Sequence, residues 1–151
     1  MYCGRGFNEV HIGERFEDSM TLTETHIVLG AGLFGDFNPL HVNQSYAANS
    51  RYGGRIAHGY LTSNVMAAQQ GMIFHGTAIA YLEHSIRFTA PVRPGDTLTT
   101  VWTITGMEAK AKHQGGIVTL AGTCANQDGV QVAAADAKML VRDNPHTGSQ
   151  A

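Results

Sequence analysis

The segment Asp36-Phe37-Asn38-Pro39-Leu40-His41 places a carboxyl group and an imidazole five residues apart. Histidine titrates nearest to neutral pH, and burial can tune a carboxyl group, so such a pair can move protons to and from a bound substrate. The Asn-Pro step favours an extended or turning backbone over a continuing helix, and a bent loop can aim both side chains at one point. The alternative interpretation of this spacing is an Asx-turn beside a surface imidazole.

A second segment, Ile56-Ala57-His58-Gly59, precedes apolar residues at helical spacing: Leu61, Val65, Ala68 and Met72. We therefore predict a long helix that starts near Gly59. The first N–H groups of a helix lack intrahelical partners and carry the positive end of its dipole, so they suit a carbonyl oxygen that gains negative charge. Glycine lets a substrate approach that backbone closely. We interpret His58 as a structural imidazole that caps or braces the helix start.

These two segments, with Phe88-Thr89-Ala90-Pro91-Val92-Arg93-Pro94-Gly95-Asp96, resemble the MaoC-like family of hot-dog-fold dehydratases, in particular the (R)-specific enoyl-CoA hydratases. The resemblance extends from about residue 8 to residue 142. It implies that Asp36 and His41 form the catalytic dyad and that Gly59 is the oxyanion glycine. The third segment is common to many hot-dog proteins and mostly indicates the fold.

One position departs from the pattern that the resemblance implies. Hydratases of this group often carry a serine further along the central helix that supports the catalytic aspartate, and this chain has Ala67 there. Ser63 lies one helical turn earlier, with Asn64 beside it, and either side chain could supply a hydrogen bond to the site. We take Ser63 and Asn38 as candidate substrate-binding residues.

The implied activity is reversible addition of water to a trans-2-enoyl thioester, with coenzyme A as the expected thiol, to give the (R)-3-hydroxyacyl thioester. This reaction of fatty acid metabolism needs no metal and no redox cofactor. Two alternatives remain open: a thioesterase on the same fold, and a non-catalytic module that binds acyl thioesters. The intact acid/base pair, Asp36 and His41, argues against the non-catalytic module.

The elements that would position these residues form an α+β pattern. Residues 16–22 partly alternate as a strand, Thr23 is a candidate helix cap, and the helix after it is expected to end near Gly30 or Gly32. Residues 43–50 are compatible with a helix that covers the site. Four strands are expected at 80–88, 98–104, 117–125 and 130–141, with Leu82, Ile86 and Phe88 sharing a face. We predict a hot-dog fold, an antiparallel sheet wrapped around the long central helix.

Composition excludes several other classes. A net charge of −2 without a basic run argues against nucleic-acid binding, and no apolar stretch reaches the roughly 18 residues of a membrane span. The two cysteines, Cys3 and Cys124, favour free thiols in the cytoplasm. The eight histidines show neither an HxxxH spacing nor a pairing with the cysteines, so we predict no metal site.

The chain length of 151 residues suits one domain, which we expect over residues 1–142, with a flexible tail at 143–151. An isolated sheet of this kind would leave strand edges exposed. Because unpaired edges are usually protected, we predict a homodimer or a higher homo-oligomer.

Overall fold

The computed structural model describes residues 4–144 of the chain. Their strands are β1 (Arg15–Thr21), β2 (Ala78–Phe88), β3 (Thr97–Lys110), β4 (Gly115–Ala125) and β5 (Gln131–Arg142). Their α-helices are α1 (Glu24–Phe34), α2 (Pro39–Val42), α3 (Gln44–Ala48) and α4 (Gly59–Ile73). Each predicted strand and the predicted central helix are present, with boundaries shifted by a few residues.

The strands form one antiparallel sheet in the order β1-β3-β4-β5-β2, and α4 packs against its inner face. This confirms the predicted hot-dog fold. The β4–β5 hairpin turns at Asp128-Gly129, where Gly129 has a φ of 76°, a conformation that glycine adopts without strain. Strands β1 and β2 are the two edges, so each pairs with a single neighbour.

The core lies between α4 and the sheet. Along β3, Leu98, Trp102 and Ile104 are at most 1% exposed, as their predicted shared face requires. The Trp102 indole N–H donates to the carbonyl oxygen of Met66 in α4 at 3.0 Å, so the largest core side chain also has its polar atom paired. Burying a leucine or isoleucine side chain, such as those of Leu98 and Ile104, stabilises the fold by about 1.5–3 kcal/mol each.

The predicted end of the first helix, near Gly30 or Gly32, is wrong. Helix α1 continues to Phe34 and ends at Gly35, whose φ of 71° is left-handed. Gly30 serves helix packing instead, because a Cβ there would lie 3.1 Å from the Leu61 side chain of α4. A glycine inside a helix can therefore mark a close helix contact as well as a terminus.

The predicted single face of β2 is also only partly correct. The register with β5 shifts between Tyr81 and Glu83, and this irregularity falls on Leu82, which is 45% exposed. Ile86 packs against the core, whereas Phe88 is 51% exposed. Strand β2 therefore presents apolar side chains at a sheet edge.

Tertiary contacts extend past the predicted domain boundary at residue 142. The Asn144 backbone N–H donates to Asn8 Oδ1 at 2.9 Å, and its side-chain amide donates to Glu9 Oε2 at 2.9 Å. The rest of the predicted tail, residues 145–151, lies outside the described residues. Within residues 4–144, no helix has both the length and the apolar character needed to cross a lipid bilayer.

Candidate active site

Local hydrogen bonds shape the loop that carries Asp36. Asp36 Oδ1 accepts from the Asn38 N–H at 3.2 Å, and Asn38 Oδ1 accepts from the Leu40 N–H at 3.0 Å. Pro39 occupies the first turn of α2, where its missing N–H costs nothing. The loop thus contains the Asx-turn of the alternative interpretation. The Asn38 side-chain oxygen caps α2, and its predicted contact with substrate stays a prediction.

His41 lies on α2 and is held by the segment before α4. Its Nδ1 is 2.8 Å from the carbonyl oxygen of Ile56, which can only accept, so Nδ1 carries the proton. The opposite nitrogen, Nε2, is 3.8 Å from Asp36 Oδ2. The His41 side chain is 12% exposed and the Asp36 side chain 46%. The surface-imidazole interpretation is therefore wrong for His41.

His58 joins this pair from the start of α4. It is 2% exposed, and its Nε2–H donates to the backbone carbonyl of Asp36 at 3.0 Å. Its ring stacks on that of His41, with centroids 3.9 Å apart and planes inclined by 30°. The predicted capping role is wrong, because the His58 side chain makes no cap hydrogen bond to α4. The predicted bracing role takes a different form, in which His58 holds Asp36 and His41 together.

Gly59 opens α4, and the backbone N–H groups of this turn receive no side-chain cap. A Cβ at residue 59 would lie 3.0 Å from the ring of Phe88 in β2, so glycine permits the close approach of helix and strand. His41 and Gly59 line one cavity of about 410 Å³. Asp36 is not among the lining residues, but its Oδ2 lies 3.8 Å from Nε2 of His41, which is one of them. The other lining residues are Arg51, Tyr52, Ile56, Ala57, Thr62 and residues 88–92.

An ion pair connects Arg55, in the segment just before α4, to Glu24 at the start of α1. The Arg55 guanidinium donates to both carboxylate oxygens of Glu24, at 2.6 and 2.8 Å, and to Gln44 of α3 at 3.2 Å. The hydrogen bond to Glu24 raises the pKa of Arg55, which is charged in any case. This bidentate geometry restrains the segment that supplies the Ile56 carbonyl and His58.

Ser63 is engaged with β2 rather than with Asp36. Its Oγ lies 3.0 Å from His84 Nε2, and the Tyr81 hydroxyl lies 2.7 Å from His84 Nδ1. Burial lowers the pKa of His84 and raises the pKa of Tyr81 to about 12. Ala67, where related hydratases are expected to carry serine, supplies no hydroxyl to Asp36.

A second cavity, of about 270 Å³, lies between α4 and β1 and holds neither member of the dyad. Asn64, the other side chain considered as a hydrogen-bond donor to the site, lines this cavity instead. Its remaining lining is largely apolar and includes Met20, Leu22, Leu61, Val65, Ala68 and Met72.

Asp36, His41 and His58 also form a potential metal-ligand set. One ligand atom from each lies within 4.8 Å of the others. Each imidazole directs one nitrogen at a backbone carbonyl, which is an arrangement that orients metal-ligating histidines. A carboxylate with two imidazoles suits zinc or another transition metal. Sequence spacing could not indicate this cluster because His58 comes from a different element.

Sequence reasoning missed two contributors to the site. The Ile56 carbonyl, which sets the His41 tautomer, is a backbone group and carries no residue-type signal. The second contributor is His84, which binds Ser63. A histidine within an otherwise strand-like segment was the available signal, but nothing in the sequence pairs it with α4.

The sequence of this chain is similar to those of known proteins. The sequence model of the "MaoC like domain" family matches residues 8–124. The chain is 38% identical over 118 residues to an (R)-specific enoyl-CoA hydratase of Rhodospirillum rubrum, covering 78% of this chain and 79% of that protein. It is 32% identical over 90 residues to a 3-hydroxybutyryl-CoA dehydratase of Methylorubrum extorquens, covering 60% and 57%.

A solved structure of a protein with a related name is also similar to this chain. An R-hydratase from Pseudomonas aeruginosa, in its unliganded form, superposes with a TM-score of 0.82 at 30% identity, covering 93% of this chain and 88% of that chain.

Proposed function

This chain belongs to the MaoC-like domain family, and from that premise we propose that it adds water reversibly to a trans-2-enoyl thioester of coenzyme A. The product would be the (R)-3-hydroxyacyl thioester, a hand that follows from the similarity to (R)-specific hydratases. One observation carries the proposal: His41 Nε2 faces Asp36 Oδ2 at 3.8 Å, beside a cavity that also contains the uncapped start of α4 at Gly59.

The pair can hold the attacking water. With Nδ1–H bound to Ile56, His41 offers Nε2 to the same region as the Asp36 carboxylate, so one water can contact both groups. In the forward reaction the pair carries one proton. One group removes a proton from water as its oxygen bonds to C3, and the other delivers the held proton to C2. The pair ends with one proton, on the opposite group, and proton exchange between the two groups restores the start.

Gly59 would supply the electrostatic part of catalysis. As oxygen adds to C3, charge moves onto the thioester oxygen in an enolate-like state. A backbone N–H at the start of α4 can donate to that oxygen, and the helix dipole has the favourable sign. The Phe88 ring lies beside Gly59, so an apolar side chain adjoins this N–H.

The reaction also sets a stereochemical expectation. Asp36 and His41 approach a flat enoyl group from one side, so hydroxide and proton should add to the same face, which is syn addition. We expect the enzyme to act as a homodimer or higher homo-oligomer. Its expected small-molecule partner is the acyl-CoA thioester substrate. Its cytoplasmic location stays a prediction from the sequence.

A spectrophotometric assay with crotonyl-CoA tests the proposal. Loss of the enoyl absorbance without free thiol supports a hydratase. Release of free thiol would instead indicate a thioesterase, and no change in either signal, with binding retained, would indicate a binding module. Chiral analysis of the product and deuterium placement in heavy water then test the (R) hand and the syn addition.

A further inference from the structure

Two tight turns meet beside the cavity that contains His41 and Gly59, and each turn carries an arginine. Arg51 is exposed and lines this cavity of about 410 Å³. Its neighbour Tyr52 also lines the cavity, and the Arg93 guanidinium donates to the Tyr52 carbonyl oxygen. We call Arg51, Tyr52 and Arg93 the two-arginine site.

The first turn holds Arg51 between α3 and the segment before α4. The Ser50 hydroxyl donates to the Ala47 carbonyl oxygen at 2.6 Å and accepts from the Tyr52 N–H at 3.2 Å. The Gly53 N–H donates to the Ser50 carbonyl oxygen at 3.1 Å, and Gly53 has a φ of 65°, which glycine adopts without strain. Because the backbone on both sides of it is bonded, Arg51 projects from a restrained turn.

The second turn fixes Arg93 in a similar way. Its backbone N–H donates to Asp96 Oδ2 at 2.8 Å, and the Asp96 N–H donates back to the Arg93 carbonyl oxygen at 3.1 Å. The guanidinium reaches the first turn, where Nη2 donates to the Tyr52 carbonyl oxygen. Its Nη1 would lie 3.2 Å from a Cβ at Gly54, so glycine gives the guanidinium room there. The segment 88–96, which indicates the fold, therefore also places a cation beside the cavity.

Both guanidinium groups are charged and lack an ionic partner. Among residues 4–144, no carboxylate forms an ion pair with Arg51 or Arg93, whereas Arg55 is paired with Glu24. The Arg51 Cζ lies 5.7 Å from the centre of the Tyr52 ring, a cation–π contact that leaves its N–H groups available. Within the described chain, the lining of this cavity includes no carboxylate. Two unneutralised cations therefore make this side of the cavity locally positive, although the whole chain has a net charge of −2.

We propose that the two-arginine site binds an anionic oxygen group of the substrate whose thioester carbonyl lies at Gly59. Guanidinium groups suit phosphate and carboxylate oxygens because their fork of N–H donors matches such oxygens in pairs. Two parts of the substrate have this chemistry: the phosphates of coenzyme A, and a carboxylate on the acyl group. Neither takes part in the proton transfers, so the site contributes to binding. This assignment rests on the proposed function, since it takes the substrate to occupy the cavity with Gly59 and His41.

The first arm of the test removes the phosphates. It compares crotonyl-CoA with crotonyl-pantetheine, which has the same reacting carbons and no phosphate. If coenzyme A is the source of the anion, Arg51→Gln and Arg93→Gln should each raise KM for crotonyl-CoA by about tenfold, the effect of one charged contact, with little change in kcat. The same variants should match wild type in their kinetics with crotonyl-pantetheine.

The second arm adds a carboxylate in the absence of phosphate. It compares pent-2-enoyl-pantetheine with glutaconyl-pantetheine, whose acyl group has the same number of carbons and ends in a carboxylate. If the acyl group is the source of the anion, wild type should favour the glutaconyl ester by about tenfold in kcat/KM. Arg51→Gln and Arg93→Gln should each bring this ratio toward one.

Arg15→Gln is the matched control for the loss of charge. Arg15 is an exposed residue of β1 that does not line this cavity, so its substitution should leave both comparisons unchanged. Added salt should weaken the wild-type preference for the anionic substrate and affect the two variants less, because salt screens exposed charges. A purely structural role of Arg51 and Arg93 would not produce this difference in salt dependence.

Calorimetric binding of esters that cannot be hydrated separates this inference from the proposed reaction. The ligands are pentanoyl-CoA, pentanoyl-pantetheine and glutaryl-pantetheine. Tighter binding of either anionic ester than of pentanoyl-pantetheine, lost in both Arg51→Gln and Arg93→Gln, would support the site even if no enoyl thioester were hydrated. Equal binding of all three esters would overturn the site, and so would a preference that either variant kept in full. Hydration of crotonyl-CoA would then still support the proposed reaction.

Discussion

His41 Nε2 and Asp36 Oδ2 face each other at 3.8 Å, a separation too long for a direct hydrogen bond. The Ile56 carbonyl fixes the His41 tautomer that makes this possible. Asp36 Oδ2 and His41 Nε2 are thereby held where one water molecule can contact both, and this geometry suits a pair in which one group accepts a proton and the other donates one.

Replacing either member of the pair should therefore reduce turnover strongly. Asp36→Asn or His41→Ala should lower kcat by about two to four orders of magnitude, the usual loss on removing a general acid or base. Steady-state assays with crotonyl-CoA, alongside circular dichroism as a control for folding, provide the measurement. Near wild-type turnover in either variant would remove that residue from the mechanism.

His58→Ala should lower kcat by roughly tenfold to a hundredfold, because small displacements of catalytic groups have effects of this size. The substitution removes both the hydrogen bond to the Asp36 carbonyl and the stacking against the His41 ring. The KM should change much less, since His58 is buried and is not among the residues that line the cavity with His41 and Gly59. A change in KM alone would show that His58 acts on substrate binding instead.

Light scattering should show a dimer or a larger homo-oligomer at micromolar concentration. In the edge strand β2, Ile79 is 46% exposed and Leu82 is 45% exposed. Both side chains are candidates for the contact between subunits. Leu82→Glu should shift the protein toward monomer. Val130→Glu, at a similarly exposed residue next to the β4–β5 turn, is the control and should leave the assembly intact. A wild-type monomer would contradict the prediction.

Exhaustive EDTA treatment should leave turnover unchanged, because the proposed steps use only Asp36, His41, Gly59 and water. The cluster of Asp36, His41 and His58 makes this a sharp test, as it could hold a transition metal. Metal analysis of the untreated enzyme is the control. Activity that disappears with EDTA and returns with zinc would show that the cluster is a metal centre.

His84 should contribute to the pH dependence of stability. Burial lowers its pKa in the folded protein, so the unfolded chain binds more protons in the window below the unperturbed value of about 6.5. The free energy of unfolding should therefore fall as pH decreases through this window. Urea unfolding should show a smaller pH slope for His84→Gln than for wild type below pH of about 6.5, and no slope difference at higher pH, where the imidazole is neutral in both states. An NMR titration that placed the His84 pKa above its ordinary value would refute this.

Short-range rules in the sequence determined much of the site. Asp36, Asn38 and Pro39 produce the Asx-turn and the start of α2 through bonds within a few residues, so their arrangement could be read locally. Apolar periodicity likewise predicted α4 and the strands, because burial of one face is a property of each element alone. A single long apolar helix and a sheet that needed covering indicated that the helix packs on the sheet, and the resemblance to the MaoC-like family implied that this arrangement is the hot-dog fold.

The tertiary structure alone decided which distant residues meet. The stacking of His58 on His41, the acceptor at Ile56 and the contact of Ser63 with His84 each join separate elements. Periodicity identifies a buried face but not its partner. Helix α1 likewise continues past its expected end near Gly30 or Gly32, since Gly30 packs against Leu61 instead of ending the helix. The sequence therefore determined the residue types of the candidate site and their local turns, while the packing of α4 against α2 and β2 decided how these side chains are held and which groups surround them.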